Sequence, residues 1–189
     1  MTAMLLRPFL YLRVTHSSST LPWTNWWLPG LISAGLVAVA VLGAPDLNVF
    51  HPGGVFDRLL GFVQNLPGFF IAALAAVATF GRPDLDRLMP GTPPTVSVLY
   101  HGEPKIVELT RRRFLSLIFS YLTALNIVIT LALIIGLPMA ERVRPLVPEH
   151  WLGLCRAVAG FPILFFTAQM LTITFWGLYY LGERMHTPD

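Results

Sequence analysis

Residues 114–137 read FLSLIFSYLTALNIVITLALIIGL and contain no Asp, Glu, Lys or Arg. A helix of about 20 apolar residues crosses a hydrocarbon core roughly 30 Å thick. Three further uncharged apolar runs occupy 27–43, 59–80 and 157–181. A chain of 189 residues has too little interior to bury four such helices in water. We therefore predict an all-α integral membrane protein with four transmembrane helices.

The composition agrees with that fold class. Hydrophobic residues make up 54% of the chain and charged residues 12%, about half of the charged fraction that is usual in soluble domains. The net charge is +3, and the basic residues lie beside the apolar runs. This placement is typical of topology signals, so we expect contact with nucleic acid only indirectly, through a partner.

The orientation follows from the same basic residues, because Lys and Arg are retained on the cytoplasmic side of a membrane. Both termini and the second loop together hold nine of the thirteen. The high content of Ala, Pro, Gly and Arg, with Lys105 as the single lysine, is typical of a GC-rich bacterial genome. We therefore expect a bacterial inner (plasma) membrane protein with both termini cytoplasmic. Its predicted parts are a cytoplasmic N-terminal segment at 1–22, transmembrane hairpins at 23–80 and 114–181, a cytoplasmic loop at 81–113 and a cytoplasmic tail at 182–189. Within the N-terminal segment, residues 4–14 form either an amphipathic interfacial foot or a disordered leader.

The loop 81–113 contains two runs with alternating apolar residues. Residues 95–100 (TVSVLY) and 105–110 (KIVELT) flank the turn-like sequence HGEP at 101–104, which predicts a small β-hairpin. A lone hairpin is only marginally stable in water, so we expect it to pair with a cytosolic protein partner or with another copy of the chain. The alternative is an irregular connector. The candidate docking residues are Val96, Val98, Tyr100, Ile106, Val107 and Leu109.

A basic cluster, Arg111, Arg112 and Arg113, follows the predicted hairpin directly. Its ordinary role is to hold the loop in the cytoplasm and to attract anionic lipid headgroups. The alternative ligand is a partner with an acidic surface, or nucleic acid. We accordingly predict contact with membrane lipid at this cluster.

The third run carries a polar stripe at helical spacing. Such side chains need partners within the membrane, so they either pack against another helix or line a water-filled pore. Small residues at every fourth position of the first two runs favour close packing, in a compact bundle or in a homo-oligomer. The candidate packing or pore positions are Ser116, Ser120, Thr123, Asn126, Thr130 and Gln169.

No catalytic, cofactor-binding or metal-binding pattern stands out in the sequence. The single cysteine, Cys155, matches no zinc motif, and the five histidines are scattered without paired spacing. The chain has no nucleophile elbow, no phosphate-binding glycine loop and no intramembrane acidic pair. We therefore expect a protein that is not an enzyme and needs no cofactor.

In its small four-helix architecture and in the basic entry TRRRFL at 110–115, the chain resembles the multi-pass membrane subunits of bacterial antiphage defence systems of the retron, cyclic-nucleotide and Kiwa types. The resemblance implies a membrane effector that anchors, or is regulated by, a cytosolic sensor. The alternative expectation is a small oligomeric channel or a transport or assembly subunit.

Overall fold

The computed structural model describes residues 6–15, 20–43, 47–89, 93–100 and 103–181. The chain is mostly helical, with a two-stranded antiparallel sheet. Four helices are long and apolar enough to cross a membrane, and these we label α1 to α4. This finding is compatible with a multi-pass membrane protein. The four are α1 (Trp23–Gly43), α2 (Val55–Thr79), α3 (Arg111–Val143) and α4 (Glu149–Tyr179).

Each helix begins or ends beyond the predicted apolar run. α3 continues past residue 137 through Pro138, and α4 begins eight residues before 157. The absence of charge marks the part of a helix that suits hydrocarbon, whereas charged residues are tolerated at helix ends near water. The predicted runs were therefore too short as helices.

Two helices depart from regular α geometry. In α1, Trp23–Trp27 and Val39–Gly43 are wound as π-helix. α2 consists of Val55–Val63 and Leu66–Thr79, separated by a turn just before Pro67. A proline at the second position of the new segment fits this break, because its missing N–H would have no helical acceptor there.

The helices are arranged as a row in the order α1, α4, α3, α2. α1 packs along α4, α4 packs on α3, and α2 packs on the other side of α3. Within the described ranges α1 and α2 make no extensive contact, so the predicted hairpin 23–80 is a hairpin in chain order only. α3 supplies the centre of the core, with Leu115, Ile118 and Leu122 fully buried.

Short elements cover one end of this row, which we call the hairpin end. A 3₁₀-helix at Arg7–Arg13 packs on α3, and a short helix at Pro83–Asp86 follows α2. The strands are β1 (Thr95–Tyr100) and β2 (Glu103–Glu108). The described part of the N-terminal segment is thus folded against the bundle and is not a disordered leader.

Candidate functional site at the hairpin end

The predicted hairpin is present, but its second strand lies two residues earlier than expected. Val96 pairs with Val107, and Leu99 pairs with Pro104. Glu103 and Pro104, which were predicted to belong to the connector 101–104, are therefore part of β2, and 101 and 102 lie outside the described residues. The backbone N–H and carbonyl of Thr95 bond to Thr15 and therefore point away from β2. Because this direction alternates along a strand, the backbone groups of Leu99 and Pro104 also point away from the opposite strand. Proline is tolerated there because that position needs no N–H toward β1.

The base of the hairpin is built into the helical bundle. Val96 and Leu109 are 1% and 0% exposed, and the Leu109 N–H donates to the Pro94 carbonyl at 2.9 Å. Thr110 caps α3 by accepting the Arg113 N–H at 3.3 Å through its hydroxyl. The hairpin thus passes directly into the central helix.

The predicted docking residues divide into two groups. Val96 and Leu109 belong to the core, whereas Ile106 is 73% exposed. Val98 and Val107 are half-buried. The side chain of Tyr100 lies outside the part of the structure that is described.

The outer edge of β1 is partly covered by the N-terminal segment. Thr15 and Thr95 exchange two backbone hydrogen bonds of 2.9 Å each, and their hydroxyls lie 3.0 Å apart. Beyond Thr95, β1 has β2 as its only strand neighbour in the described chain. By alternation, the outward-facing backbone groups on that edge belong to Ser97 and Leu99. An extended segment of another protein can pair with these groups.

The three arginines of the basic cluster have different surroundings. Arg111 is 5% exposed, and Arg113 is exposed. Arg112 donates through Nε and one terminal nitrogen to the two Asp86 carboxylate oxygens, at 2.8 and 3.1 Å. It also donates to the carbonyls of Val77 and Phe80, at 2.6 and 2.9 Å.

Arg112 therefore ties the end of α2 to the start of α3. The carbonyls at a helix C-terminus have no partners within the helix, and a guanidinium satisfies several of them together. The hydrogen bond from Arg112 lowers the pKa of Asp86, opposed in part by desolvation. Of the predicted lipid or partner ligands, Arg113 has the exposed side chain that such contact needs.

Beneath the hairpin end lies a buried chain of polar side chains, which we call the polar centre. The Tyr11 hydroxyl donates to the Asn25 side-chain oxygen at 3.1 Å, and Gln169 Nε2 donates to the Asn25 carbonyl at 2.7 Å. The Tyr121 hydroxyl donates to Gln169 Oε1 at 2.7 Å. All four residues are buried. The polar centre thus joins the N-terminal segment, α1, α4 and α3.

Two local features favour this arrangement. Asn25 lies in the π-helical turn Trp23–Trp27, and the wider turn leaves carbonyls accessible from the side. The neighbouring Thr24 carbonyl accepts from the Thr172 hydroxyl at 3.4 Å. Burial raises the pKa of the Tyr11 hydroxyl, which keeps it protonated as a donor.

The predicted polar stripe lies largely within the bundle. Asn126 is fully buried and donates to the Met170 sulfur at 3.3 Å, and the Thr130 hydroxyl donates to Asn126 Oδ1 at 3.4 Å. The Thr123 hydroxyl donates to the Phe119 carbonyl at 2.7 Å. Ser116 and Ser120 are half-buried. These positions favour helix packing over the lining of a pore.

Sequence reasoning did not anticipate the polar centre except at Gln169. Asn25 was inconspicuous among interfacial tryptophans, and Tyr121 lies outside the spacing that defined the stripe. The available signal was an amide residue, Asn25, just before the first apolar run, together with Gln169 inside the fourth.

Among the described residues, no group of three or more His, Cys, Asp or Glu side chains could hold a metal ion. Comparison with protein-family models, curated proteins and solved structures finds no significant match to this chain.

Proposed function

We propose that this chain is a non-enzymatic docking subunit of the bacterial inner membrane, whose hairpin binds an extended segment of a cytosolic protein. The observation that carries the proposal is the hairpin itself, which is fixed at its base by Val96 and Leu109 and open along β1 beyond Thr95. A fixed edge binds a strand at lower entropic cost than a mobile one.

The charge around the hairpin indicates the chemistry of the partner. Three exposed cations lie in or near the hairpin: Lys105 is within β2, Arg113 follows β2 by five residues, and Arg13 precedes by two residues Thr15, which pairs with Thr95. Glu103 and Glu108 offset them only in part. A bound segment with acidic residues flanking its strand therefore suits this surface, and such charges contribute more to specificity than to raw affinity.

Docking at the hairpin would act on the helices through α3. Because Thr110 joins β2 to the first turn of α3, a strand added to β1 bears on the helix that contacts both α2 and α4. The antiphage resemblance supplies the context of the proposal. The partner would be a cytosolic sensor, and the subunit would hold that sensor at the membrane or respond to it as an effector.

The test is co-purification of the tagged chain with its partner from mild detergent, using Ser97→Pro as the variant. Proline removes an outward N–H from β1 without removing a bond to β2. The matched control is Ile106→Pro, which removes an outward N–H from the other edge of the same hairpin. We expect Ser97→Pro to lose the partner and Ile106→Pro to keep it. Retention of the partner by Ser97→Pro, or equal loss in both variants, would contradict docking at the β1 edge.

The defence context has a separate test. Deleting the gene for this chain should raise phage plating efficiency in its native host, and the Ser97→Pro variant should fail to restore protection. Plating efficiency that is independent of the gene for every phage tested would remove the defence role and leave the docking role to be judged by co-purification.

The alternative is a small oligomeric channel or a transport or assembly subunit. The burial of Asn126 and Gln169 within one chain counts against a pore along the stripe. Replacing Asn126 and Thr130 with Leu tests this directly, because a pore lined by them would change its conductance in planar bilayers.

A further inference from the structure

Three polar side chains meet at the bundle end opposite the hairpin. The Arg144 guanidinium donates to His51 Nε2, and His51 Nδ1 lies 3.8 Å from Glu141 Oε1. A guanidinium has no acceptor, so the imidazole accepts at Nε2 and carries its proton on Nδ1, facing the carboxylate. Glu141 and Arg144 thus lie on opposite sides of one ring, although His51 is about ninety residues away in sequence.

A tight turn between α1 and α2 holds His51 in this place. The His51 N–H donates to Asn48 Oδ1 at 3.1 Å, and the Gly53 N–H donates to Asp57 Oδ2 at 2.8 Å. Gly53 has φ of 74°, which favours glycine. A Cβ on Gly54 would lie 2.7 Å from two backbone oxygens, so this turn is closely packed.

His51, Glu141 and Arg144 line a cavity of about 150 Å³, and Arg156 forms another part of its wall. The cavity has an apolar groove on either side of α4. One groove, of about 300 Å³, lies between α3 and α4 and shares Val143 and Ala159 with the cavity. The other, of about 270 Å³, lies between α1 and α4 and shares Leu152 and Arg156 with it.

The first groove runs from the cavity toward the middle of the bundle. Its wall on α3 extends from Ala132 to Val143, which is about 16 Å at 1.5 Å per residue, and it overlaps the cavity at Ala140 and Val143. Below that overlap, the wall from Ala132 to Met139 is about 10 Å long. One leaflet of a bilayer is about 15 Å deep, so this wall suits the upper part of an acyl chain below its headgroup.

We propose that this cavity binds the headgroup of a phospholipid carrying both a phosphate and a primary ammonium, with its two acyl chains in the two grooves. Arg144 and Arg156 would hold the phosphate through charge-assisted hydrogen bonds. Glu141 would accept a hydrogen bond from the primary ammonium. A trimethylammonium headgroup has no N–H group and could not donate this bond. The inference requires the helices to span a bilayer, but it does not depend on what the hairpin binds.

The arginines support this assignment. In the orientation predicted from the basic residues, both lie on the non-cytoplasmic side, where arginine opposes the usual topology signal. A bound phosphate gives a reason for arginine at these positions. The carboxylate in the same cavity disfavours a headgroup that is purely anionic, because two like charges repel at short range.

Cys155 provides a direct reporter of occupancy, because it is the single cysteine of the chain and lines the cavity. The experiment measures the rate at which an uncharged maleimide alkylates Cys155 in the purified full-length chain in detergent. Phosphatidylethanolamine, phosphatidylcholine and phosphatidylglycerol with identical chains are added in turn, as are glycerophosphoethanolamine and inorganic phosphate. Native mass spectrometry counts the bound lipid.

We expect phosphatidylethanolamine to slow alkylation about tenfold at saturation, with one lipid bound. Arg144→Gln should weaken its apparent affinity about tenfold or more, since it removes a charge-assisted contact with phosphate. The matched control is Arg142→Gln, an exposed cation two residues away that does not line the cavity. Glu141→Gln should weaken binding of phosphatidylethanolamine but not of phosphatidylglycerol.

A second variant guards against misfolding of the arginine variant. Ala132→Phe fills the groove between α3 and α4 at a residue that does not line the cavity and leaves every charge in place, so it should reduce protection by the lipid. Three results would overturn the proposal: equal protection by inorganic phosphate or glycerophosphoethanolamine, equal protection by phosphatidylcholine, or equal affinity in Arg144→Gln and Arg142→Gln.

Discussion

Replacing Gln169 by Leu removes the residue through which the polar centre joins three helices. The side chain is fully buried and makes two hydrogen bonds of 2.7 Å, one to the Asn25 carbonyl of α1 and one from the Tyr121 hydroxyl of α3. Leucine has a similar size, so the substitution tests the hydrogen bonds without opening a large cavity. Both former partners remain buried.

The expected loss follows from the number of bonds and from their setting. Hydrogen bonds between membrane helices contribute about 0.6 kcal/mol on average and up to about 1.7 kcal/mol each. Two such bonds give about 1–3 kcal/mol. A buried group left without a partner costs about 1–3 kcal/mol in general, which places the value toward the upper end. Leucine gains little in return, because lipid is as apolar as the helix interface.

The assay is reversible unfolding in mixed micelles of dodecyl maltoside and SDS, from which the free energy of unfolding is obtained. Thr174→Val is the matched control, because the Thr174 hydroxyl donates within α4, to the Met170 carbonyl at 2.7 Å. A double-mutant cycle with Tyr121→Phe should give a coupling of about 0.6–1.7 kcal/mol. Strict additivity in that cycle, or a Gln169→Leu effect no larger than the control, would refute the argument.

Three other perturbations test the hairpin end and the opposite turn. The pKa of Asp86 is lowered in the folded chain, so its ion pair with Arg112 stabilises the fold at pH values above the pKa of the unfolded state. This stabilisation is lost as the pH falls through the pKa of the folded state. In unfolding curves recorded between neutral and acidic pH, Asp86→Asn should therefore lack this loss of stability. Arg112→Lys keeps the positive charge but removes the guanidinium, whose nitrogens bond to the Val77 and Phe80 carbonyls at the end of α2. Amide hydrogen exchange over the last turn of α2 should therefore accelerate. Unchanged exchange would show that these bonds do not stabilise the helix end. Gly54→Ala places a Cβ against two backbone oxygens and should lower the unfolding temperature, whereas Gly61→Ala meets open space within a helix and should raise stability by about 0.5–1 kcal/mol; equal shifts would contradict the described turn.

The features that could be predicted from the sequence are those with a short period. Four apolar runs gave the number of long helices, and alternation over 95–100 gave the first strand. Boundaries were less accurate, as Pro138 shows, because a proline inside a long helix is tolerated when neighbouring packing compensates for it. The different surroundings of Arg111, Arg112 and Arg113 could not be predicted from the sequence, since adjacent residues on a helix point in different directions.

Contacts between distant segments were beyond this kind of reasoning. The bond between Tyr11 and Asn25 depends on how the N-terminal segment folds back onto α3, and the meeting of His51 with Arg144 depends on the helix order. None of these four residues lies in a local sequence pattern that distinguishes it from a solvated side chain. Periodicity identifies faces of a helix, but it does not identify the element that each face contacts.

The order of the helices in the row has a consequence for biosynthesis. α1 and α2 leave the ribosome first, yet each packs mainly on a helix that has not been made, α4 for the one and α3 for the other. Under the membrane-spanning proposal, the first half of the chain must wait in the bilayer as two separate helices. Its assembly is therefore completed only after α4 emerges and inserts beside α1, which makes the last helix synthesised the one that closes the fold.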